Sequence, residues 1–335
     1  MLRRVLGSVV LFLLLSVQPS VVSAVLIQSE IFGADIDEYG SVDHPVPSFL
    51  FPINTTQGYL HAPWLRYSVG DVNYSYKGTF DWDSFGLGVL WIPADPFHIV
   101  VSDANKTVGR GVMLAGDVRI NITASTISGA NWVLEEYTLT NTGPDNLEDV
   151  RFLQFVDYDV GPVGMGSVFD EGFFEHNDDI MKYDPATNAF YNVDTDVKNP
   201  TPGVKPLVLG MRSPLPSTAH DVNGGPEYAG DYVYENGYIY PIGAYADFEF
   251  DEMNNRNLFP DPLYESYAVG DGAGTLKWSF GTLAPGQSVT IPVYFFGVLD
   301  EALIPLVGEG VVFEPPITKV ILTIIDGATF PISFY

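Results

Sequence analysis

Two acidic clusters contain the residues whose types and spacing could bind a metal ion. Asp35-Ile36-Asp37-Glu38-Tyr39-Gly40 sets carboxylates at alternate positions ahead of a glycine, as a calcium loop does, although Tyr39 and Val46 stand where further ligands are expected. The second cluster has seven carboxylates within 23 residues: Asp157, Asp159, Asp170, Glu171, Glu175, Asp178 and Asp179. Such a density is tolerated when the groups are solvated or bridged by a hard cation, so calcium sites and solvated acidic loops both remain open. The predicted calcium ligands are Asp35, Asp37, Asp157, Asp159, Asp170, Asp178 and Asp179.

A short aromatic and acidic segment could contact a sugar. Asp81 and Asp83 fall on one face of a predicted strand and Trp82 on the other. An aromatic ring stacks on a sugar ring, and carboxylates accept hydrogen bonds from hydroxyl groups, so Asp81, Trp82 and Asp83 are predicted carbohydrate contacts. The competing interpretation is an ordinary strand surface, because aromatic residues are common in β-sheets.

Motifs for known catalytic chemistry are missing from the sequence. Cysteine is absent, and the five histidines show no spacing typical of zinc ligands. Among 42 acidic residues, paired carboxylates for glycoside hydrolysis are unavoidable and none can be singled out. Adjacent Glu135 and Glu136 face opposite sides of a strand, so the one that points inward needs a partner. No catalytic residue is predicted, and the sequence favours a non-enzyme while leaving catalysis open.

The amino terminus has the layout of a secretory signal peptide. Arg3 and Arg4 precede an apolar run over residues 5–17, and Val22-Ser23-Ala24 supplies small residues at the cleavage positions. The run is shorter than the ~20 residues that a membrane-spanning helix needs. We therefore expect residues 1–24 to be removed, leaving a secreted or cell-surface protein with no membrane span.

Four sequons could accept N-linked glycans outside the cell. Their acceptor residues are Asn54, Asn73, Asn105 and Asn121.

Charge and composition exclude several classes of protein. The 335 residues hold 42 acidic and 15 basic side chains, which gives a net charge of −27. Such a chain repels nucleic acid. Hydrophobic residues make up 46 %, which is too many for a disordered acidic tail.

The hydrophobic pattern predicts an all-β protein. Apolar residues alternate at period two in short runs that end at Gly, Pro, Asn or Asp, and helical periodicity is nearly absent. A turn-rich loop at residues 141–146 separates the runs 132–140 and 147–156, which predicts a hairpin. Pro285-Gly286 predicts a type II turn. The expected fold is a large antiparallel two-sheet sandwich.

Three sequence motifs carry a resemblance to a group of known proteins. They are YTLTNTGPDNLEDVRF, the stretch Asp157-Tyr158-Asp159-Val160-Gly161 and LAPGQSVTIPV. Together, over about residues 130–298, they resemble secreted prokaryotic surface proteins with a large β-sandwich. The resemblance implies a sandwich similar to those of mutarotases and of accessory domains in starch-active enzymes. The motifs lie further apart than one immunoglobulin-sized module of about 100 residues allows, and the sorting tail of such proteins is missing.

The predicted organisation is a signal peptide at 1–24, a sandwich at 25–307 and a strand pair at 308–335 that completes the sandwich or is donated to a neighbour. The leading functional prediction is an exported, non-enzymatic structural or adhesive protein of the cell surface or extracellular matrix. A carbohydrate-binding or carbohydrate-active protein and a calcium-stabilised binding module are the alternatives. The expected partners are further copies of the chain, other surface proteins or polysaccharide. Calcium is the one expected cofactor.

Overall fold

The computed structural model describes most of the predicted sandwich region and parts of its loops. The described residues are 24–42, 49–51, 56–57, 60–78, 89–157, 180–193, 207–224, 232–235, 238–241, 256–258, 268–269, 272–309, 320–323 and 329–332.

Within these residues the chain forms β-strands and one 3-10 helix, Glu301–Leu306, and no helix there is long and apolar enough to cross a membrane. The first strands are β1 (Val25–Gln28), β2 (Gly33–Ile36), β3 (Phe49–Leu50), β4 (Thr56–Gln57), β5 (Leu60–Val69), β6 (Val72–Lys77), β7 (Val89–Leu90), β8 (Ile92–Ser102), β9 (Lys106–Ala115), β10 (Val118–Ile127), β11 (Trp132–Asn141) and β12 (Leu147–Asp157). The later strands are β13 (Ile180–Asp184), β14 (Ala189–Val193), β15 (Val208–Arg212), β16 (Ala219–Gly224), β17 (Tyr232–Glu235), β18 (Tyr238–Pro241), β19 (Arg256–Leu258), β20 (Ala268–Val269), β21 (Gly272–Leu283), β22 (Ser288–Val298), β23 (Val320–Thr323) and β24 (Thr329–Ile332).

Two large sheets form the body of the protein. The first sheet has nine strands in the order β20-β13-β14-β15-β22-β11-β10-β9-β8, and the second has seven in the order β19-β16-β21-β12-β5-β6-β7. Pairing is antiparallel except between β6 and β7 and between β16 and β19. The prediction of a large antiparallel two-sheet sandwich is confirmed.

The core lies between the sheets because alternate residues of their strands point inward. In β11 the buried positions are Val133, Glu135, Tyr137 and Leu139, while the residues between them are partly exposed. Phe152 of β12 packs on Tyr137 from the opposite sheet, with ring centroids 5.0 Å apart. Each strand therefore buries one face at period two, which is the pattern that the sequence shows.

A small sheet of β1 to β4 packs into the same core through side chains such as Phe32 and Phe49. Near the carboxyl end, β23 and β24 pair with each other and with no other described strand. Both strands fall within the predicted 308–335 segment, and its completion of the sandwich or donation to a neighbour remains a prediction.

The predicted hairpin at residues 132–156 is wrong. Strand β11 lies in the first sheet and β12 in the second, so the loop between them crosses the sandwich. The link from β21 to β22 crosses in the same way. Its turn has the predicted type II features, since Gly286 has φ +78° and Gln287 N donates to Ala284 O at 2.9 Å. Alternation and turn residues identify both the strands and the turn, but they do not say to which sheet the chain returns.

One buried side chain ties these two crossings together. Asn141 Nδ2 donates to Asp145 O in its own loop and to Leu283 O at the end of β21, both at 2.8 Å. Its backbone carbonyl accepts from Gly286 N at 2.8 Å. Two of the three motifs that carry the sequence resemblance, YTLTNTGPDNLEDVRF and LAPGQSVTIPV, are therefore in direct contact.

The 3-10 helix covers a second apolar cluster on the outside of the first sheet, around Trp132 and Phe296. Glu301, the first residue of the helix, forms an ion pair with Lys182, and the distance from Lys182 Nζ to Glu301 Oε2 is 2.9 Å. Arg212 Nη1 holds the end of the helix by donating to Pro305 O at 2.8 Å and Val307 O at 2.7 Å. These charged contacts fix the helix against the sheet.

Candidate functional site

An open cleft lies where β1 meets two turns of the first sheet, and we call it the β1 cleft. Its volume is about 440 Å³, and its walls come from residues 26–30, 99–107 and 127–128. The second segment contains the turn between β8 and β9, and the third begins the turn between β10 and β11. This volume lies within the usual range of about 300–1,000 Å³ for small-molecule sites.

A fixed carboxylate stands in one wall of the β1 cleft. Glu30 Oε1 accepts a hydrogen bond from Ser128 Oγ at 2.8 Å, and Oε2 accepts one from Gly129 N at 2.7 Å. The backbone hydrogen bond from Gly129 is the largest of the contacts that lower the pKa of Glu30 below its usual value. Glu30 is therefore ionised at neutral pH and acts as a hydrogen-bond acceptor at a defined position.

A tight turn forms another part of the wall. Asp103 Oδ1 accepts from Asn105 N at 2.8 Å and from Lys106 N at 3.1 Å, which is the geometry of an Asx turn. Ser128 N donates to Asn105 O at 2.8 Å, so the turn is also tied to the segment that holds Glu30. The side chains of Asp103, Asn105 and Lys106 are exposed. The wall thus presents an acceptor and two donors on a fixed backbone.

The β1 cleft also has an apolar part. Ile99 and Ile127 line it and are 42 % and 39 % exposed. Thr107 Oγ1 donates to Gln28 O at 3.3 Å and joins β9 to β1 beside them. Exposed aliphatic surface among fixed polar groups suits a ligand with one apolar face and several hydroxyl groups.

A second polar cluster is sealed between the two sheets. Its members are Glu135 and Tyr137 of β11, His61 of β5 and Gln154 of β12, and all four are fully buried. His61 Nε2 lies 3.2 Å from Glu135 Oε1, and the Tyr137 hydroxyl donates to Glu135 Oε2. Glu135 is therefore the inward-facing carboxylate of the adjacent pair, and its expected partner is found.

The hydrogen bonds of this cluster define a proton arrangement. Gln154 Nε2 lies 3.1 Å from His61 Nδ1. With the amide as donor, Nδ1 accepts and Nε2 carries the proton that is donated to Glu135. Burial, followed by the charge of Glu135, raises the pKa of Tyr137 well above its usual value, so Tyr137 remains a donor. Because no solvent reaches these groups, we assign the cluster to the core and not to ligand chemistry.

A row of basic and aromatic side chains crosses the outward face of the second sheet. Lys277, Leu153, Trp64 and Lys77 are cross-strand neighbours on β21, β12, β5 and β6. Trp64 stacks on Phe155 with ring centroids 6.1 Å apart. Both lysines are nearly buried and have interaction partners, so this row serves the fold.

The predicted calcium ligands are only partly placed. The Asp37 carboxylate accepts hydrogen bonds from Tyr39 N at 2.8 Å and Ser41 N at 2.9 Å, and burial raises the pKa of Asp35. Asp157 ends β12. No group of three or more His, Cys, Asp or Glu side chains in the described part of the chain is placed to hold a metal ion. Calcium binding stays a prediction. Asp159, Asp170, Asp178 and Asp179 lie outside the described residues.

The predicted carbohydrate contacts and glycosylation acceptors are only partly within the described residues. Asp81, Trp82, Asp83 and Asn54 lie outside the described residues. Asn73 is exposed on β6, Asn121 is half-buried on β10 and Asn105 lines the β1 cleft. The sequence identifies Asn105 as the acceptor residue of a sequon. It does not identify Glu30, Ile99 and Ile127, because no local sequence pattern connects these separate segments.

Comparisons with known proteins give similarity at the level of the fold. Searches against family models and against curated proteins find no match. A bacterial glucoamylase complexed with acarbose is similar with a TM-score of 0.48 and 9 % identity, over 86 % of this chain and 34 % of that chain. A putative aldose 1-epimerase from Escherichia coli K12 has a TM-score of 0.40 and 9 % sequence identity, over 83 % of this chain and 99 % of that chain. A galactose mutarotase related enzyme from Lactobacillus acidophilus has a TM-score of 0.34 and 9 % sequence identity, over 83 % of this chain and 98 % of that chain. The chain thus spans about a third of the glucoamylase and nearly all of the other two.

These comparisons correct the leading functional prediction. The similar proteins are named as enzymes, among them a glucoamylase, an epimerase and a mutarotase-related protein, and not as structural or adhesive subunits. The prediction of a non-enzymatic structural or adhesive protein is therefore wrong, and the carbohydrate alternative agrees better. At these identities and TM-scores the likeness concerns the fold alone, so no activity or residue role is transferred from it.

Proposed function

We propose that this chain is an exported carbohydrate-binding or carbohydrate-active protein and that the β1 cleft holds a sugar. The observation that carries the proposal is the cleft itself. In about 440 Å³ it combines fixed acceptors, exposed donors and two exposed isoleucines.

The polar groups of the β1 cleft match the needs of a sugar. Each hydroxyl group both donates and accepts hydrogen bonds. Glu30 and Asp103 supply acceptors, while Lys106 and Asn105 supply donors. Glu30 is already held by Ser128 and Gly129, and the 103–106 turn by its own Asx contacts. Because the Glu30 and Asp103 carboxylates and the backbone of the turn are held without a ligand, ordering them on binding costs little further entropy.

The apolar groups support the same ligand class. The C–H face of a pyranose ring is apolar, and Ile99 and Ile127 offer it an aliphatic surface. A ligand with charges on all sides would leave these isoleucines unused, and a purely apolar ligand would leave Glu30 and Lys106 desolvated without partners.

The test begins with an array of soluble and immobilised glycans, followed by calorimetry on those that bind. Lys106→Ala and Ile99→Ser should each weaken binding. Loss of the charged donor is expected to cost about 1.5–3 kcal/mol, which is about tenfold or more in Kd. Arg110→Ala is the matched control, because Arg110 is an exposed cation on the same strand that does not line the cleft.

Two results would overturn the proposal: no binding to any glycan, or unchanged affinity in the Lys106→Ala and Ile99→Ser variants. Mass spectrometry of the incubated glycans, for cleaved or epimerised products, separates catalysis from binding alone.

A further inference from the structure

The β1 cleft carries a glycosylation acceptor in its own wall. Asn105 belongs to the sequon Asn105-Lys106-Thr107, is exposed and lines the cleft. The other described acceptors, Asn73 and Asn121, do not line it. A glycan on Asn105 would therefore be attached at the wall of the proposed sugar site.

The backbone of Asn105 is anchored on both sides, which fixes where such a glycan starts. Asn105 N donates to Asp103 Oδ1 at 2.8 Å, and Asn105 O accepts from Ser128 N at 2.8 Å. The Ser128 hydroxyl in turn donates to Glu30. The acceptor residue is thus joined through Ser128 to the carboxylate of Glu30, and its backbone is held in place beside the cleft.

We propose that an N-linked glycan on Asn105 occupies the β1 cleft as an intramolecular ligand and excludes other sugars. This inference rests on the proposed function, since it requires a cleft that accepts sugar, and on export of the chain. Glycosylation then switches the cleft from open to self-occupied.

Because the glycan is covalently attached beside the cleft, it competes more effectively for the cleft than a free sugar does. A group joined by a short linker has an effective concentration in the millimolar range. If the cleft binds the attached sugar with a Kd of about 1 mM, the glycan fills it most of the time and weakens binding of a free sugar about three- to tenfold. Removing the glycan should restore that factor.

The experiment uses the full chain made in a host that glycosylates secreted proteins. Glycopeptide mass spectrometry first measures occupancy of Asn105. Amide hydrogen exchange is then compared for residues 26–30 and 127–128 before and after enzymatic removal of the glycan. Slower exchange in the glycosylated protein is expected, and it should be lost in Asn105→Gln and in Asn105→Ser, two substitutions that remove the sequon and leave the Thr107 hydrogen bond to Gln28 O in place. Asn73→Gln is the matched control and should keep the protection.

Binding of chitotriose, measured by calorimetry, supplies an independent readout. The Asn105→Gln and Asn105→Ser variants should bind this probe about three- to tenfold more tightly than the glycosylated protein. An unmodified Asn105, or a glycan that leaves exchange in the cleft unchanged, would overturn the inference. If the affinity for chitotriose is the same with and without the glycan, the inference is overturned but the proposed function is not. If the glycan-free chain binds no sugar, the proposed function itself is overturned.

Discussion

Replacing Glu135 by leucine is expected to lower the free energy of unfolding by about 4 kcal/mol. Leucine has a similar volume, but it leaves the His61 N–H and the Tyr137 O–H without an acceptor in the sealed space between the sheets. Each orphaned buried donor costs about 1–3 kcal/mol. The summed cost of the two donors agrees with the loss of stability of about 3–5 kcal/mol that follows when one partner of a buried ion pair is removed.

Guanidinium unfolding followed by tryptophan fluorescence measures this change, because Trp91 and Trp278 are buried in the same core. A lower midpoint at constant slope reports lost stability. Glu136→Leu is the matched control: the neighbouring carboxylate lies on the opposite, partly exposed face of β11, so a change within about 0.5 kcal/mol is expected.

Adding Tyr137→Phe to Glu135→Leu removes one of the two orphaned donors and should recover about 1–3 kcal/mol. In the otherwise unchanged protein, Tyr137→Phe should instead destabilise, because Glu135 loses a hydrogen bond. A loss below about 1 kcal/mol for Glu135→Leu, or further destabilisation when Tyr137→Phe is added to it, would refute the assignment of orphaned donors.

Three further substitutions test other parts of the fold. Burial lowers the pKa of His220 to about 4 from 6.5, so its contribution to stability is complete above pH 6.5 and falls as the pH drops from 6.5 towards 4; His220→Phe should flatten that slope in thermal melts. Asn188 has φ +51° and its side chain bonds Ser213 O and Leu215 O, so Asn188→Ala should be about 1 kcal/mol less stable than Asn188→Gly in urea unfolding. Arg212→Ala removes the donor to three carbonyls at the end of the 3-10 helix and should cost about 1–2 kcal/mol, with faster amide exchange at 302–309 while exchange in β10 is unchanged.

The parts of the structure that depend on neighbouring residues could be predicted from the sequence. Alternation in β11 identifies a strand with one buried face, and Pro285-Gly286 identifies a turn that needs positive φ at its glycine. The same alternation showed that Glu135 or Glu136 must point into the core. These features are set by steric preference and by the period of the strand, which a single sequence displays.

The parts that depend on distant residues could not be predicted. His61, the partner of Glu135, is 74 residues away in the other sheet. The β1 cleft joins three segments whose proximity follows from the order of strands β1, β8, β9 and β10. Whether β12 returns beside β11 or crosses to the opposite sheet depends on which surface remains uncovered, and alternation is the same in both cases.

The crossing of β11 to β12 and of β21 to β22 has a consequence for the order of events during synthesis. The central strands of both sheets pair across the sequence, so the second sheet lacks its β12–β21 pairing until residue 283 has been made, and the first sheet lacks its β11–β22 pairing until residue 298 has been made. Pairings between such distant segments form slowly, because long loops must close first. We therefore expect the two sheets to close into a sandwich only when synthesis is nearly complete, and a polypeptide that has not yet closed its core can still be threaded through a narrow channel.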